Sequence, residues 1–178
     1  MRFCTQCGCP VVLRVPSGDQ HARAVCGTCG HIHYENPRMV LGVVAEWEGR
    51  ILLCRRAIEP RAGFWTLPAG FMENDESTDA AAARETWEEA TARVRIEELF
   101  ALVDLPRISQ VHLFYRGVLT DGRHAPGVES RETVLCREAD IPWSTLAFTS
   151  VQHCLERYFS DRRRGAYGVH RWVQDQPS

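Results

Sequence analysis

The chain has 178 residues, of which 44% are hydrophobic and 25% charged, with a formal net charge of −2, as in an ordinary globular protein of one domain or one domain plus a small module. This charge argues against non-specific attachment to nucleic acid or to a membrane surface. No window approaches the ~20 apolar residues that a membrane span needs, and the N-terminus lacks the apolar segment of a signal peptide. We therefore expect a cytoplasmic protein with no membrane partner.

Two Cys-x2-Cys pairs lie near the N-terminus: Cys4 and Cys7, then Cys26 and Cys29, with eighteen residues between the pairs. In a cytosolic chain this spacing is typical of a structural zinc site. Four thiolate ligands leave no coordination position for a substrate, so we expect Zn2+ to act in folding and not in chemistry. Cys9 is not needed, because Cys4 and Cys7 already complete the first pair. The alternative is a set of free or redox-active thiols.

A hairpin is predicted over residues 39–54, because two apolar, β-branched runs flank the turn pair Glu48-Gly49. Residues 64–67 predict a short strand that ends at Pro68. The loop between them contains three arginines, Arg55, Arg56 and Arg61. Each of these is either a solvated charge or a candidate to bind a diphosphate.

A helix is predicted to begin after Ser77, a suitable N-cap, and to run through four alanines. Its predicted apolar stripe, which should face a core, consists of Ala80, Ala83, Trp87 and Ala90. Three carboxylates fall on the opposite side within one turn: Glu85, Glu88 and Glu89. Taken alone, such a cluster is more often a solvated acidic face than a site for a divalent cation such as Mg2+.

The rest of the chain predicts strands over residues 94–105, 110–119 and 133–136, followed by a helix over residues 149–161. Along the second of these strands Val111, Leu113 and Tyr115 alternate with His112, Phe114 and Arg116, so one of the two faces is expected to be solvated or to line a cleft. Residues from 165 onward include few core-forming side chains, although Trp172 could anchor them. Pattern alone supports an α+β class.

Residues 70–92 resemble the Nudix box of the Nudix hydrolases, whose pattern is G-x5-E-x7-R-E-U-x-E-E-x-G-U with U an aliphatic residue. Six positions match: Gly70, Glu76, Arg84, Glu85, Glu88 and Glu89. Two positions depart from the pattern, since Thr86 replaces the aliphatic residue and Thr91 replaces the last glycine. A glycine there would suit a left-handed helix end, which a β-branched residue enters at a cost.

The resemblance implies an α/β/α sandwich with a mixed sheet, preceded by a small zinc ribbon. The expected limits are 1–36 for the ribbon, 37–164 for the Nudix domain and 165–178 for a C-terminal tail. The implied ligands of a catalytic Mg2+ or Mn2+ are Glu85, Glu88, Glu89 and the backbone carbonyl of Ala69. The implied role of Gly70, Glu76 and Arg84 is to brace the box.

Nudix enzymes often draw a further glutamate from outside the box. Here Glu132 is the first candidate and Glu129 the second, and for either one a plain surface charge is at least as common. The implied general base is Glu85 or Glu132. Phe71, Tyr115 and Phe148 are candidates by residue type to stack on an adenine or flavin ring.

The ribbon, the connector over residues 34–38 and the runs over residues 65–71, 84–90 and 141–148 together resemble the zinc-ribbon Nudix proteins related to the plant FAD and ADP-ribose pyrophosphatase. This resemblance implies hydrolysis of FAD or ADP-ribose with release of AMP. NADH pyrophosphatase ranks behind, because the Ser-Gln-Pro-Trp-Pro-Phe-Pro-type array of that branch is missing from residues 93–110. A non-catalytic module that senses nucleotides or binds nucleic acid is the alternative of another class. The complete box carboxylates and the lack of excess basic residues argue against it. A homodimer is expected by analogy alone.

Overall fold

The computed structural model describes residues 1–174, and the chain divides into two compact units between Asn36 and Pro37. The first unit is a three-stranded antiparallel sheet in the order β1-β2-β3, with β1 at Val11–Arg14, β2 at Arg23–Cys26 and β3 at Ile32–His33. Within residues 1–174, no helix is both long enough and apolar enough to cross a membrane.

Two tight turns of the same kind carry the cysteine pairs of the first unit. The Gly8 N–H donates to the Cys4 carbonyl at 2.9 Å, and the Gly30 N–H donates to the Cys26 carbonyl at 3.1 Å. Both glycines have positive φ, 71° and 75°, a conformation that residues with a side chain enter only at a cost. The two glycines therefore let the chain fold back directly after each cysteine pair.

The second unit contains eight strands and two α-helices. The strands are β4 (Arg38–Trp47), β5 (Arg50–Arg56), β6 (Trp65–Thr66), β7 (Ala69–Phe71), β8 (Val94–Leu105), β9 (Gln110–Leu119), β10 (Ser130–Cys136) and β11 (His170–Val173). The helices are α1 (Thr78–Ala90) and α2 (Thr149–Arg164). Short 3-10 helices lie at Pro106–Ile108, Glu138–Asp140 and Trp143–Thr145.

These strands form one mixed sheet in the order β10-β5-β4-β9-β8-β11, with β6 paired to β5 and β7 paired to β4. The pairs β4–β9 and β8–β11 are parallel, and the other pairs are antiparallel. The predicted mixed sheet is confirmed.

A helix covers each face of the sheet, as strand β4 illustrates. Its residues Leu41 and Val43 belong to the same apolar cluster as Ala81 and Ala82 of α1, whereas Val44 belongs to the cluster that includes α2. Because successive residues of a strand point to opposite faces, a strand buried on both sides needs an unbroken apolar run. The predicted α/β/α arrangement is confirmed.

The predicted apolar stripe of α1 is wrong in its phase. The buried residues are Ala81, Ala82, Thr86, Glu89 and Ala90, whereas Trp87 is 47% exposed. The inward face carries two polar residues whose polar atoms find partners. The Thr86 hydroxyl donates to the Ala82 carbonyl at 2.8 Å, and the Glu89 carboxylate accepts from a backbone N–H. A pattern of apolar residues alone therefore misplaces this face.

The predicted C-terminal tail from residue 165 joins the sheet over its described part. Strand β11 lies parallel to β8 at the edge of the sheet, with Trp172 opposite Val103. The Trp172 ring lies 4.3 Å from the Arg157 guanidinium, so this residue anchors the strand to α2. Residues 175–178 of the expected tail lie outside the described residues.

Asp161 fastens the turn between α2 and β11. It is fully buried and contacts the side chains of Arg164 and His170 and the N–H of Gly168. Burial alone would raise its pKa, but the hydrogen bonds from His170, Gly168 and Arg164 together lower the pKa of this carboxyl.

We predict that Asp161→Asn lowers the free energy of unfolding by about 1–3 kcal/mol, because it leaves charged and backbone donors without a full acceptor. Urea denaturation measures this change. The matched control is Glu156→Gln on the exposed side of the same helix, which should change stability by less than about 0.5 kcal/mol. Equal stability of the two variants would contradict the fastening role.

Candidate active site

Arg84 joins helix α1 to the loop that precedes it. Its Nε and Nη2 donate to the two carboxylate oxygens of Glu76 at 3.0 and 2.8 Å, and Nη2 also donates to the Phe71 carbonyl at 3.1 Å. Its Nη1 donates to Glu85 and Glu88, both at 2.8 Å. The guanidinium lowers the pKa of Glu76 to about 2, so this bidentate pair is ionised throughout the neutral range.

Gly70 lies directly against the Glu85 carboxylate. A Cβ at position 70 would lie 2.2 Å from Glu85 Oε2 and 2.4 Å from Oε1. Real Cβ atoms do not approach other atoms so closely, so the absence of a side chain at Gly70 makes room for this carboxylate. Glu85 is thereby held between the Gly70 backbone and Arg84.

Glu89 is the most buried of the three box carboxylates. Its residue is 6% exposed, and Oε2 accepts a hydrogen bond from the Ala69 N–H at 3.1 Å. Burial raises the pKa of Glu89 to about 8; the charges of Glu85 and Glu129 also raise it, while the Ala69 N–H and Arg56 oppose the shift. Burial likewise raises the pKa of Glu85.

The donor set of this cluster fits a hard divalent cation, because carboxylate and carbonyl oxygens are the ligands that Mg2+ and Mn2+ prefer. The cluster also concentrates negative charge in a partly buried place, and Glu88 keeps 54% of its side chain exposed beside it. In the structure, Arg84 contacts Glu85 and Glu88, and the Ala69 N–H contacts Glu89. These glutamate oxygens do not form a group within 4.8 Å of one another.

The end of helix α1 has the left-handed conformation that the box glycine would supply. Thr91 has φ 48° and ψ 30°, and its N–H donates to the Trp87 carbonyl at 2.8 Å. Its hydroxyl donates to the Ala125 carbonyl at 3.0 Å, which offsets part of the cost of this conformation. The departure of Thr91 from the pattern therefore leaves the helix end in place.

The loop that follows β9 covers this helix end, a role that sequence reasoning missed. The N–H groups of Ala125 and Gly127 donate to the carbonyls of Ala90 and Glu89 at 2.8 and 3.0 Å. A Cβ on Gly127 would lie 1.6 Å from the Glu88 carbonyl oxygen, so only glycine permits this approach. The signal in the sequence was the Pro-Gly pair of the loop.

A cavity of about 1360 Å³ opens beside the carboxylates. Of the predicted site residues, it is lined by Ala69, Gly70, Arg84, Glu85, Glu88, Glu89, Arg56, Arg61 and Glu129. Phe71 and Phe148 also line it, whereas Tyr115 instead contacts Thr78 through its hydroxyl. Arg107, His112 and Gln174 are lining residues that the sequence did not single out as ligands.

Besides Glu76, which binds Arg84, two predicted residues are absent from the lining of this cavity: Glu132 and Arg55. They lie opposite each other on β10 and β5 and form an exposed ion pair of 3.5 Å. The position of Glu132 therefore does not support our first choice for the additional glutamate. The second choice, Glu129, does line the cavity, close enough to Glu85 and Glu89 to raise the pKa of both.

The four N-terminal cysteines converge as predicted. The Sγ atoms of Cys4, Cys7, Cys26 and Cys29 all lie within 4.8 Å of one another, and Cys9 is not part of this group. Among residues 1–174, it is the one group of three or more His, Cys, Asp or Glu side chains with this geometry. The four thiols are therefore positioned to hold one metal ion.

Two comparisons with protein families cover most of the chain. Residues 35–148 match the NUDIX domain family, and residues 2–35 match the family described as Nudix N-terminal. The chain belongs to the Nudix hydrolase family and includes its N-terminal zinc-ribbon segment.

Comparison with solved structures includes a relative of similar length. A crystal structure of a NUDIX hydrolase from Nitrosomonas europaea is 48% identical, with a TM-score of 0.93 over 98% of this chain and 100% of that chain. An ADP-ribose pyrophosphatase from Streptococcus suis shares the fold at 22% identity, with a TM-score of 0.59 over 77% of this chain and 100% of that chain.

Two curated relatives match shorter segments of the chain. A MutT-like protein of Streptomyces ambofaciens is 47% identical over 60 residues, which are 34% of this chain and 37% of that protein. A NAD-capped RNA hydrolase NudC of Chromobacterium violaceum is 34% identical over 94 residues, which are 53% of this chain and 34% of that protein. The chain thus spans about a third of the length of these two relatives.

We predict that Gly70→Ala folds normally but loses at least about 10²-fold in hydrolase turnover, because the new Cβ displaces the flexible end of Glu85 and not the backbone. Thermal denaturation and turnover measured on the same preparation separate the two effects. Gly168→Ala is the control, since no atom lies within 4 Å of a Cβ there. Full activity of Gly70→Ala would contradict the packing role.

Proposed function

We propose that this chain hydrolyses the diphosphate bond of a nucleoside diphosphate linked to a second group, in a reaction that requires Mg2+ or Mn2+. The observation that carries the proposal is the position of Glu85, Glu88 and Glu89 at the wall of one large cavity. A hydrolase of a dianionic diphosphate needs both a cation site and room for the groups on either side of the phosphates.

The substrates that fit best are dinucleotide-like compounds. The cavity volume of about 1360 Å³ exceeds the 300–1,000 Å³ that is common for small-ligand pockets. FAD and ADP-ribose follow from the subgroup resemblance, and the names of the curated relatives support NAD equally well. We therefore no longer rank NADH behind the others. All of these substrates share an ADP half, and hydrolysis of each would release AMP.

The chemical step is attack of water on one phosphorus, with cleavage of the bond to the bridging oxygen and release of two phosphate monoesters. A bound divalent cation supplies charge neutralisation and a lower pKa for the attacking water. Its proposed ligands are Glu85, Glu88, Glu89 and the Ala69 carbonyl. The guanidinium groups of Arg56 and Arg61 line the same cavity and are proposed to bind the diphosphate.

Glu129 is the general base that we propose. It lines the cavity and acts electrostatically on Glu85 and Glu89, whereas Glu85 is hydrogen-bonded to Arg84. The Glu85 carboxylate is already held by Arg84 and packed against Gly70, and it is a proposed ligand of the cation, which favours Glu129 as the base. In this proposal Glu129 takes the role that the sequence assigned to Glu85 or Glu132.

The proposal takes residues 1–36 as the zinc ribbon and extends the Nudix domain from residue 37 through β11. A homodimer and a cytoplasmic location stay predictions. The non-catalytic sensor remains the alternative, and the assay below distinguishes it.

A product assay tests the function. Purified protein is incubated with FAD, ADP-ribose, NADH, NAD-capped RNA or nucleoside triphosphates, each with Mg2+, Mn2+ or EDTA. We expect metal-dependent AMP from at least one of the dinucleotide-like compounds. Pyrophosphate from a triphosphate alone would overturn the substrate class, and ligand binding without turnover would favour the sensor.

We predict that Glu88→Gln and Glu89→Gln each lower kcat by at least about 10²-fold, because each removes a carboxylate that offsets the charge of the cation. Glu129→Gln should cause a comparable loss, since the carboxamide cannot accept the proton. The matched control is Glu132→Gln, which should keep near-wild-type kcat. A large loss in Glu132→Gln together with an active Glu129→Gln would contradict our choice of base.

The ion of the N-terminal site is proposed to be zinc. The Sγ atoms of Cys4 and Cys29 are 3.7 Å apart, and those of Cys7 and Cys26 are 3.5 Å apart. Zn–S bonds of about 2.3 Å in a tetrahedron place the sulfur atoms about 3.8 Å apart, so the observed separations fit.

We predict one zinc ion per chain, measured by metal analysis of protein purified without added metal. Cys26→Ser should lower the zinc content severalfold and unfold the ribbon, because the ion supplies folding free energy to this small unit. Cys9→Ser is the control and should retain one zinc. Loss of zinc in Cys9→Ser, with retention in Cys26→Ser, would refute this ligand set.

A further inference from the structure

Three strands place side chains of the cavity in two parallel rows on one face of the sheet. In the first row Ala69 of β7 is paired with Gly42 of β4, which is paired with Phe114 of β9. The second row is displaced by two residues along each strand. Because two residues of a strand span about 6.6 Å and return to the same face, the second row lies that far from the first.

The second row consists of Phe71, Val40 and His112, which are paired with one another across the same three strands. All three line the cavity. Phe71 is 45% exposed, and its ring is shared between the cavity and the Arg38 guanidinium, which lies 4.7 Å from the ring centre. The first row contacts the proposed cation site, because the Ala69 N–H donates to the Glu89 carboxylate. The second row is therefore a platform that lies two strand residues farther from this site.

The absence of a side chain at Gly42 leaves room for its two neighbours in the first row, Ala69 and Phe114. A Cβ at position 42 would lie 2.8 Å from both the Ala69 Cβ and the Phe114 ring. The Phe114 ring therefore lies directly over Gly42 in the first row.

His112 and Gln110 add polar groups of defined direction to this platform. His112 Nε2 and Gln110 Oε1 are 2.9 Å apart, and both residues line the cavity. A carbonyl oxygen only accepts, so the histidine Nε2 donates and its Nδ1 keeps a lone pair. Burial lowers the pKa of His112 to about 4, which keeps the ring neutral near pH 7. The amide nitrogen of Gln110 is a donor. The pair therefore offers one acceptor beside one donor.

We propose that the second row and Gln110 form a subsite for a planar heteroaromatic group of the substrate that carries an N–H donor beside an acceptor. The His112 Nδ1 accepts from that donor, the Gln110 amide donates to that acceptor, and Phe71 and Val40 contact the ring. This inference rests on the proposed function, since it assigns one end of the same diphosphate substrate. The amino edge of adenine and the carboxamide of nicotinamide both have this chemistry, and the experiment separates these two.

The test compares kcat/KM within two matched substrate pairs. ADP-ribose and IDP-ribose differ at the purine edge, and NAD+ and nicotinic acid adenine dinucleotide differ at the carboxamide. We expect the wild-type protein to prefer one member of one pair by about tenfold, the scale of one or two neutral hydrogen bonds. His112→Phe and Gln110→Leu should bring that ratio close to one, mainly through KM. The substrate pair whose kcat/KM ratio changes in these variants shows whether the adenine end or the nicotinamide end of the substrate binds at the second row.

Tyr115→Phe is the matched control on the same strand. Tyr115 contacts Thr78 through its hydroxyl and is absent from the cavity lining, so its variant should keep the wild-type ratio. Thermal denaturation shows whether each variant is folded, and Gln110→Leu keeps the test valid if His112→Phe is not.

Unchanged ratios in both folded variants, or a wild-type protein that discriminates within neither pair, would overturn the subsite while leaving the hydrolase intact. Hydrolysis of FAD but of none of the four compounds would overturn the subsite while leaving the hydrolase intact. Hydrolysis of none of these five compounds would instead overturn the proposed function, and the subsite with it.

Discussion

The interaction on which the site depends is the contact of one guanidinium with four partners. Arg84 binds both oxygens of Glu76, the Phe71 carbonyl, Glu85 and Glu88. Arginine suits this place because its planar group carries five donors in a fixed arrangement, which a lysine cannot imitate. Through Arg84, the loop after β7 is fixed to helix α1. The positive charge of its guanidinium also reduces the repulsion between Glu85 and Glu88, which share one helical turn.

Two glycines at which the backbone lies very close to neighbouring atoms also help to form the site. Gly70 makes room for Glu85, and Gly127 lets the loop after β9 lie against the Glu88 carbonyl. That loop ends near Glu129, so the same packing that covers the end of α1 also brings a further carboxylate to the cavity. The site is therefore assembled from one helix and two loops, each held by contacts that tolerate little added volume.

Some of this could be predicted from sequence because it is local. Fixed spacing identified the box, and the strand pattern identified β8 and β9, although it did not tell which face of β9 lines the cavity. The phase of α1 could not be predicted from apolar residues, since Thr86 and Glu89 are buried through hydrogen bonds that depend on the folded chain. Pattern alone cannot reveal such partners.

The sequence also could not tell whether Glu129 or Glu132 lies at the cavity. It did not predict strand β11 either. An irregularity between Ser130 and Glu132 shifts the register of β10 against β5, and spacing in the chain does not reveal it. Strand β11 pairs with a strand some seventy residues earlier and depends on the buried contacts of Asp161. Non-local pairing of this kind leaves little trace in a four-residue segment.

The most direct test of the account is the location of Mn2+ by anomalous diffraction from crystals soaked in MnCl2. The account predicts an anomalous peak within bonding distance of carboxylate oxygens of Glu85 and Glu89 and of the Ala69 carbonyl, on the side of the cavity. A peak bound elsewhere on the chain, or no peak near these oxygens at saturating Mn2+, would contradict it.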